Sequence, residues 1–354
     1  MNKKEIKKTE TDPNVNATTL SKAEKFSFLD DLAKDSHLKR AIEFKKSLEV
    51  IPSGCLSLDN ALGLGGYLRG TIVDIFGYPS GGKSLLSLMA IKEVQKLGGV
   101  AVVVDAERNY SKSQKWMEIN GVNPKDMWLI QPQTGEEALD LVFDILTKNA
   151  ADLIVFDSVP ALRPQSILER PLTDGQLVGA QALMMTLGLQ KLTGVIDDTR
   201  CVCIFINQLR AQINAPNAKY VKEEDMSTGG MALKFYASIR IGVKKIVGSE
   251  VRDKNEVDIG HRVRVKVSKN KLAPPNRSAE FSIYYEGGID VVEDLTDVLL
   301  AKEEIKTAGA WYEFDGNRFQ GRNKVIAYLK ESDRYIQHIE KIRAGFSNDQ
   351  KTGD

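Results

Sequence analysis

Cysteine and histidine are scarce, with three of each in 354 residues. Cys55, Cys201 and Cys203 are too few and too irregularly spaced for a disulfide framework, and Cys201-x-Cys203 is neither a zinc-knuckle nor a redox spacing. They read as buried apolar residues of a chain kept in a reducing compartment. His37, His261 and His338 lie far apart, with no carboxylate or cysteine at ligand spacing, which argues against a metal cage built on histidine. Long apolar runs are also missing. The start, Met1-Asn-Lys-Lys-Glu, has no hydrophobic leader, and no stretch approaches the roughly 18 apolar residues of a membrane span. A cytoplasmic protein without a membrane partner is expected. The net charge of +1 shows no excess of either sign, so any nucleic-acid partner must be read from local charge.

What is present is an alternation. Residues 1–20 are polar and without periodicity, and read as a disordered arm. Over 21–48, Phe26, Phe28, Leu29, Leu32, Leu38, Ile42 and Phe44 recur at helical spacing among charges, predicting an amphipathic segment whose apolar face needs a partner surface. Farther on, short, nearly continuous apolar and β-branched runs at 71–76, 100–104, 153–156 and 201–206 alternate with helical stretches at 85–96, 136–148 and 180–195. Such runs suit strands buried on both faces of a parallel sheet, and the alternation predicts an α/β fold with helices covering it. Segments 237–243, 262–267 and 280–285 read as further strands. A compositional change near Gly287-Gly288 divides a core over 49–288 from a small α/β domain over 289–346, built around a hairpin at 310–319, with a tail at 347–354.

Gly77-Tyr-Pro-Ser-Gly-Gly82-Lys83-Ser84 completes the pattern G-x-x-x-x-G-K-[ST] between a predicted strand and a predicted helix. Its glycines let successive backbone N–H groups turn toward phosphate oxygens, so Gly77, Ser80, Gly81, Gly82, Lys83, Ser84 and Leu85 form the expected cradle. Lys83 would reach the β- and γ-phosphates, and Ser84 would offer a hydroxyl to Mg²⁺ at the positive end of the following helix. ATP and Mg²⁺ are therefore the expected cofactors. Ser80-x-x-Lys83 also fits an acyl-enzyme signature, but its companion motifs are missing. The strand at 153–156 runs into Asp157-Ser158, as a carboxylate beside the metal requires. Another delivers Asp105-Ala-Glu107 to the same carboxyl edge, where open α/β sheets bind ligands, and makes Glu107 the candidate base for an attacking water. A fourth ends in Asn207-Gln208, an amide suited to sensing the γ-phosphate.

In this order the motifs resemble the RecA family of bacterial and phage recombination ATPases over residues 22–346. Ser53-Gly-Cys-Leu-Ser-Leu-Asp59, Asp105-Ala-Glu107, Phe156-Asp-Ser-Val-Pro-Ala-Leu162, Phe205-Ile-Asn-Gln208, Thr228-Gly-Gly230, Ala232-Leu-Lys-Phe-Tyr-Ala-Ser238 and Arg264-Val-Lys-Val-Ser-Lys-Asn-Lys271 carry the likeness. The resemblance implies a RecA-type P-loop ATPase core, a mostly parallel twisted sheet flanked by helices. The segment 21–48 becomes an N-terminal helical oligomerisation segment, followed after the core by a small C-terminal α/β domain. It implies a DNA-dependent ATPase that polymerises as a helical filament on single-stranded DNA and exchanges strands with homologous double-stranded DNA in repair. A LexA-like repressor is a further partner that it suggests. By the same resemblance, Glu107 activates water and Gln208 couples the γ-phosphate to the loop that follows. Trp116 takes a stacking position beside adenine, Lys269 and Lys271 reach a neighbouring subunit's ATP, and Lys234 and Phe235 lie at that interface. Two lysines two apart on one strand also point the same way, so they can neutralise transition-state charge together.

Two Pro-, Asn- and polar-rich segments, within 163–178 and over 209–227, read from composition as surface loops. The resemblance makes them DNA-binding loops, with Ser158 and Val178 bracketing the first and Arg210, Ile213, Thr228, Gly229 and Gly230 on the second. Between Lys234 and Arg277, 12 Lys or Arg stand against 4 Asp or Glu, a basic sector inside a neutral chain. The sequence departs from the family where Leu183 and Gln190 replace DNA-gripping arginines and where Met231 follows Thr-Gly-Gly. Two extra residues also follow Glu107. A hexameric ring helicase, and an ATP-responsive co-protease or scaffold filament without strand exchange, are alternative assemblies on such a core.

Overall fold

The computed structural model describes residues 20–34, 38–40, 48–171, 179–209 and 231–349. Residues 1–47 and 48–354 form separate units. In the first, Ser21 starts helix α1 (Lys22–Ala33) with a capping box: its hydroxyl accepts the Glu24 N–H at 3.3 Å, and the Glu24 carboxylate accepts the Ser21 N–H at 2.8 Å. Phe26, Phe28, Leu29 and Leu32 of the apolar set predicted from periodicity are all exposed, with the Arg40 guanidinium 5.5 Å from the centre of the Phe26 ring.

The second unit opens with β1 (Val50–Ile51), α2 (Leu56–Leu62) and β2 (Tyr67–Leu68). Strand and helix then alternate through β3 (Ile72–Gly77), α3 (Lys83–Lys96), β4 (Ala101–Asp105), α4 (Gln114–Ile119), β5 (Met127–Ile130), α5 (Gly135–Thr147), β6 (Leu153–Asp157), α6 (Gln165–Leu168), α7 (Ala180–Thr199) and β7 (Val202–Gln208). After α8 (Ala232–Tyr236) come β8 (Ile239–Arg252), β9 (Asp258–Asn270) and β10 (Ser278–Tyr284). The chain finishes with α9 (Val291–Ala301), β11 (Lys306–Ala308), β12 (Trp311–Phe314), β13 (Asn317–Gln320), α10 (Arg322–Lys330) and α11 (Arg334–Asp349).

The main sheet has the order β10-β9-β8-β3-β7-β6-β4-β5. From β8 to β5 all neighbours are parallel, whereas β9 and β10 pair antiparallel. Successive residues take opposite faces. Val73, Ile75, Val103, Val155 and Ile204 pack in one core with α3, while Ile72, Val102, Val104, Phe156 and Phe205 join α5 and α7 in another. Both faces are covered, which is why these strands appear in sequence as unbroken apolar runs. Strand β5 has no counterpart among the predicted strands. It is a four-residue edge strand with Trp128 70% exposed, so it lacks that run.

The C-terminal residues build a three-stranded antiparallel sheet. The predicted hairpin is β12–β13, turning through Asp315 and Gly316 at φ 48° and 74°, the left-handed pair that a tight hairpin turn needs. Leu295, Leu299, Phe314, Val325 and Leu329 form its core together with Leu56 from α2. Asp294 on α9 ties the same two elements: its carboxylate accepts the Leu56 N–H at 2.5 Å and the Ser57 hydroxyl.

Burial pushes the Asp294 carboxyl up to about 6 against its hydrogen bonds to Ser57 and Leu56. Asp59, also fully buried, is pushed up to about 7 against hydrogen bonds from Ser53. A carboxyl whose folded pKa exceeds its unfolded value binds more protons when folded, so the stability it contributes is full below about pH 4 and is lost as pH rises through about 7. For Asp59 the loss is on the order of 4 kcal/mol. Melting temperatures between pH 5 and pH 8 should therefore fall less steeply with pH in Asp59→Asn than in the parent chain. Equal slopes would refute the assignment.

Candidate active site

The phosphate loop is shaped by what surrounds it. Gly77 ends β3 directly against β8, where a Cβ would meet the Val243 carbonyl oxygen at 2.2 Å, so only glycine fits. Gly82 sits at φ 94° as the residue preceding α3, and its missing Cβ leaves room for Ile283 of β10. Lys83 starts the helix, is 7% exposed, and donates from Nζ to the Tyr78 carbonyl at 2.7 Å. Burial lowers its pKa, opposed by the charges of Asp157 and Glu107. A buried ammonium beneath glycine-rich backbone fits a phosphate chain.

Three parallel strands bring their carboxyl ends to this loop. Asp157 at the end of β6 is nearly buried and pushed up to about 6, mainly by burial and then by Glu107; Ser84, Tyr110 and Lys83 pull it down. Ser84 and Asp157 are oxygen donors of the kind Mg²⁺ takes. Glu107 follows β4. Its Oε1 accepts the Ser158 hydroxyl and the Gln208 amide, the latter at 3.2 Å, and its Oε2 accepts Asn109 Nδ2 at 3.2 Å. Gln208 closes β7. The grouping of Lys83, Asp157, Glu107 and Gln208 read from the motifs is thus one cluster. Asp105 has a different task. Fully buried, it accepts the Asn109 N–H at 2.8 Å and Gln131 Nε2 at 3.0 Å, and so braces the turn that carries Glu107.

Ser80 through Leu85 form one wall of a cavity of about 460 Å³. Trp116 of α4 lines it. The opposite wall was not predicted: Lys245 comes from β8, His261 from β9, and Ile283, Tyr284 and Tyr285 from the end of β10. His261 and Tyr285 have ring centroids 5.8 Å apart. Burial, then the like charge of Lys245, lowers the His261 pKa. No motif marks these residues, because strands 160 or more positions downstream carry them to the loop.

Several site expectations change. Ser158, expected to touch DNA, is 1% exposed with its hydroxyl donated to the Glu107 carboxylate. Lys271 lies beyond β9, which ends at Asn270 after a register shift, so strand alternation does not align it with Lys269. The two remain close: burial first, and then the charge of Lys271, lower the Lys269 pKa. Lys269 Nζ rests within its own subunit on the carbonyls of Lys234 and Phe235, at 2.6 and 3.1 Å. Phe235 is 66% exposed. Leu183 and Gln190 are both exposed on α7. Val178, Arg210, Ile213, Thr228, Gly229 and Gly230 lie outside the described residues. The basic sector is partly neutralised by carboxylates from elsewhere. Arg240 pairs with Asp74 at 2.8 Å, Arg264 with Glu280 at 2.6 Å and Arg262 with Asp297 at 3.7 Å.

A phosphate loop, a carboxylate beside its serine, and a second carboxylate held by a glutamine, all on adjacent parallel strand ends, define a P-loop ATPase. Residues 18–290 match the family described as RecA N-terminal domain. Protein RecA of Porphyromonas gingivalis is 40% identical over 305 residues, covering 86% of this chain and 87% of that protein. Protein RecA of Gloeobacter violaceus is 43% identical over 298 residues, covering 84% and 78% respectively. Among solved structures, the crystal structure of the RadB recombinase superposes with a TM-score of 0.49 at 20% identity, over 68% of this chain and 98% of that one. The chain belongs to the RecA family. It is a recombinase and a DNA-dependent ATPase, and ATP binding, DNA binding and filament assembly come with that membership. Among the described residues no helix is long and apolar enough to cross a membrane.

Proposed function

We propose that this recombinase reads its ATP through Glu107 and passes that reading to DNA through Gln208. The carrying observation is the Gln208–Glu107 hydrogen bond, because Gln208 is the last residue of β7 and the second DNA-binding loop begins just beyond it. Lys83 and the backbone of 80–85 hold the phosphates, while Trp116 and Tyr285 supply aromatic faces for the base. Ser84 and Asp157 would hold Mg²⁺, which would supply charge neutralisation for the phosphates. Glu107 takes a proton from the water whose oxygen bonds to the γ-phosphorus as the β–γ bridging bond breaks. Gln208 exchanges Glu107 for the γ-phosphate, so the last residue of β7 carries a different hydrogen bond before and after hydrolysis.

Lys269 and Lys271 serve the ATP of an adjacent subunit, for which Lys269 must leave the carbonyls of α8. The exposed Phe235 beside those carbonyls supports an interface there. The exposed apolar residues of α1 fit a second copy in a filament on single-stranded DNA in the cytoplasm, with homologous duplex as the second DNA partner.

The test follows ATP hydrolysis with and without single-stranded DNA while assaying strand exchange with homologous and heterologous duplex. Stimulated hydrolysis and joint molecules with homologous duplex alone are expected. Hydrolysis indifferent to DNA, with no joint molecules, would sink the coupling scheme and favour a scaffold filament; closed rings that unwind forks would favour a helicase.

A further inference from the structure

The segment after Glu107 places a buried tyrosine under the metal site. Asn109 is held by the Asp105 carboxylate, and a single turn at Tyr110–Lys112 then directs Tyr110 inward, where it is 4% exposed in the core on the α3 side. Its hydroxyl lies 3.3 Å from Asp157 Oδ2 and 3.2 Å from Ser87 Oγ. Ser87 Oγ in turn donates to the carbonyl of Ser84 at 2.8 Å. Two hydroxyl protons therefore serve three contacts. The carboxylate is the charged acceptor among them and forms the stronger bond, so it takes the Tyr110 proton, leaving that of Ser87 on Ser84. The cluster touches both proposed metal ligands: Tyr110 donates to Asp157, while Ser87, in contact with the Tyr110 hydroxyl, braces the Ser84 carbonyl in the first turn of α3.

We infer that Tyr110 is a positioning residue for the divalent cation: it fixes the rotation of the Asp157 carboxylate, packed beside the Ser87 hydroxyl that braces the turn carrying Ser84. The inference rests on the reading of Ser84 and Asp157 as the metal ligands. A carboxylate that is nearly buried has two oxygens to orient, and a donor on Oδ2 leaves Oδ1 and the remaining lone pairs for the cation and its waters. Because Tyr110 sits three residues past Glu107 on one braced turn, displacement of the catalytic carboxylate also disturbs the metal ligand.

Tyr110→Phe keeps the buried ring and removes only the donor. The measurement is Mn²⁺ affinity by electron paramagnetic resonance in the presence of ADP, alongside binding of a fluorescent ADP in EDTA. A roughly 10-fold weaker Mn²⁺ affinity with unchanged metal-free nucleotide binding is expected, within the range by which second-shell partners tune metal sites. Ser87→Ala, which leaves the tyrosine in place, should shift Mn²⁺ affinity in the same direction by less. Unaltered Mn²⁺ affinity in Tyr110→Phe overturns the inference, as does an equal loss of metal-free nucleotide binding, which would mark a merely structural role. Asp157→Asn separates the two levels. If it too leaves Mn²⁺ affinity unchanged, the metal-ligand reading falls and the inference with it; if it weakens Mn²⁺ binding while Tyr110→Phe does not, the inference alone falls.

Discussion

ATP hydrolysis is expected to disappear in Lys83→Ala and to fall roughly 10²–10⁴-fold in Glu107→Gln, the range of a lost general base, with only the second variant keeping ATP-dependent DNA binding. Lys83 is the cation at the floor of the phosphate cradle, and its removal deprives ground state and transition state alike of their charge partner. Glu107 stands differently. Its carboxylate is held by Ser158, Gln208 and Asn109 rather than by a cation. A glutamine keeps its shape and one acceptor oxygen but has little basicity, so binding survives and chemistry does not. Steady-state phosphate release paired with filter binding of labelled single-stranded DNA distinguishes the two. Full turnover in Glu107→Gln would remove it as the base, and ATP-dependent DNA binding in Lys83→Ala would show that the loop does not report phosphate.

Arg240→Ala should lower stability by about 3–5 kcal/mol, the cost of leaving a buried charge without its partner. Asp74 at the middle of β3 is fully buried, and Arg240 of β8, 6% exposed, donates to it from Nε at 2.8 Å while its guanidinium stacks 4.6 Å from the centre of the Phe76 ring. Burial already raises the Asp74 pKa against the pull of Arg240, so removing the guanidinium drives the carboxyl to protonate. A drop in melting temperature on the order of 10 °C follows. Asp74→Leu combined with Arg240→Met should restore most of it, since an apolar pair needs no charge compensation. If the single variant melts within 2 °C of the parent chain, the pair is not the constraint described.

The part of the site legible in sequence is the part built from consecutive residues on strands buried on both faces. Gly77–Ser84 is a turn whose chemistry depends on its own backbone, and Asp157, Glu107 and Gln208 each follow an apolar run that announces a parallel strand. Their convergence at one rim follows from the rule that such sheets bind ligands at their carboxyl ends.

Three things depended on tertiary structure. Ser158 looked like a surface residue bracketing a loop, yet the neighbouring strand puts Glu107 over it. The basic sector is dense along the chain, but Asp74, Glu280 and Asp297, all outside its span of residues, take part of its charge. The far wall of the cavity beside the phosphate loop, with His261 and Tyr285, and Tyr110 beneath Asp157 carry no local signature, because their placement arises only where strands distant in sequence are brought side by side. Spacing along one chain determines what a loop can bind. Which groups surround it, and therefore which of its charges are free, is decided by packing across the sheet.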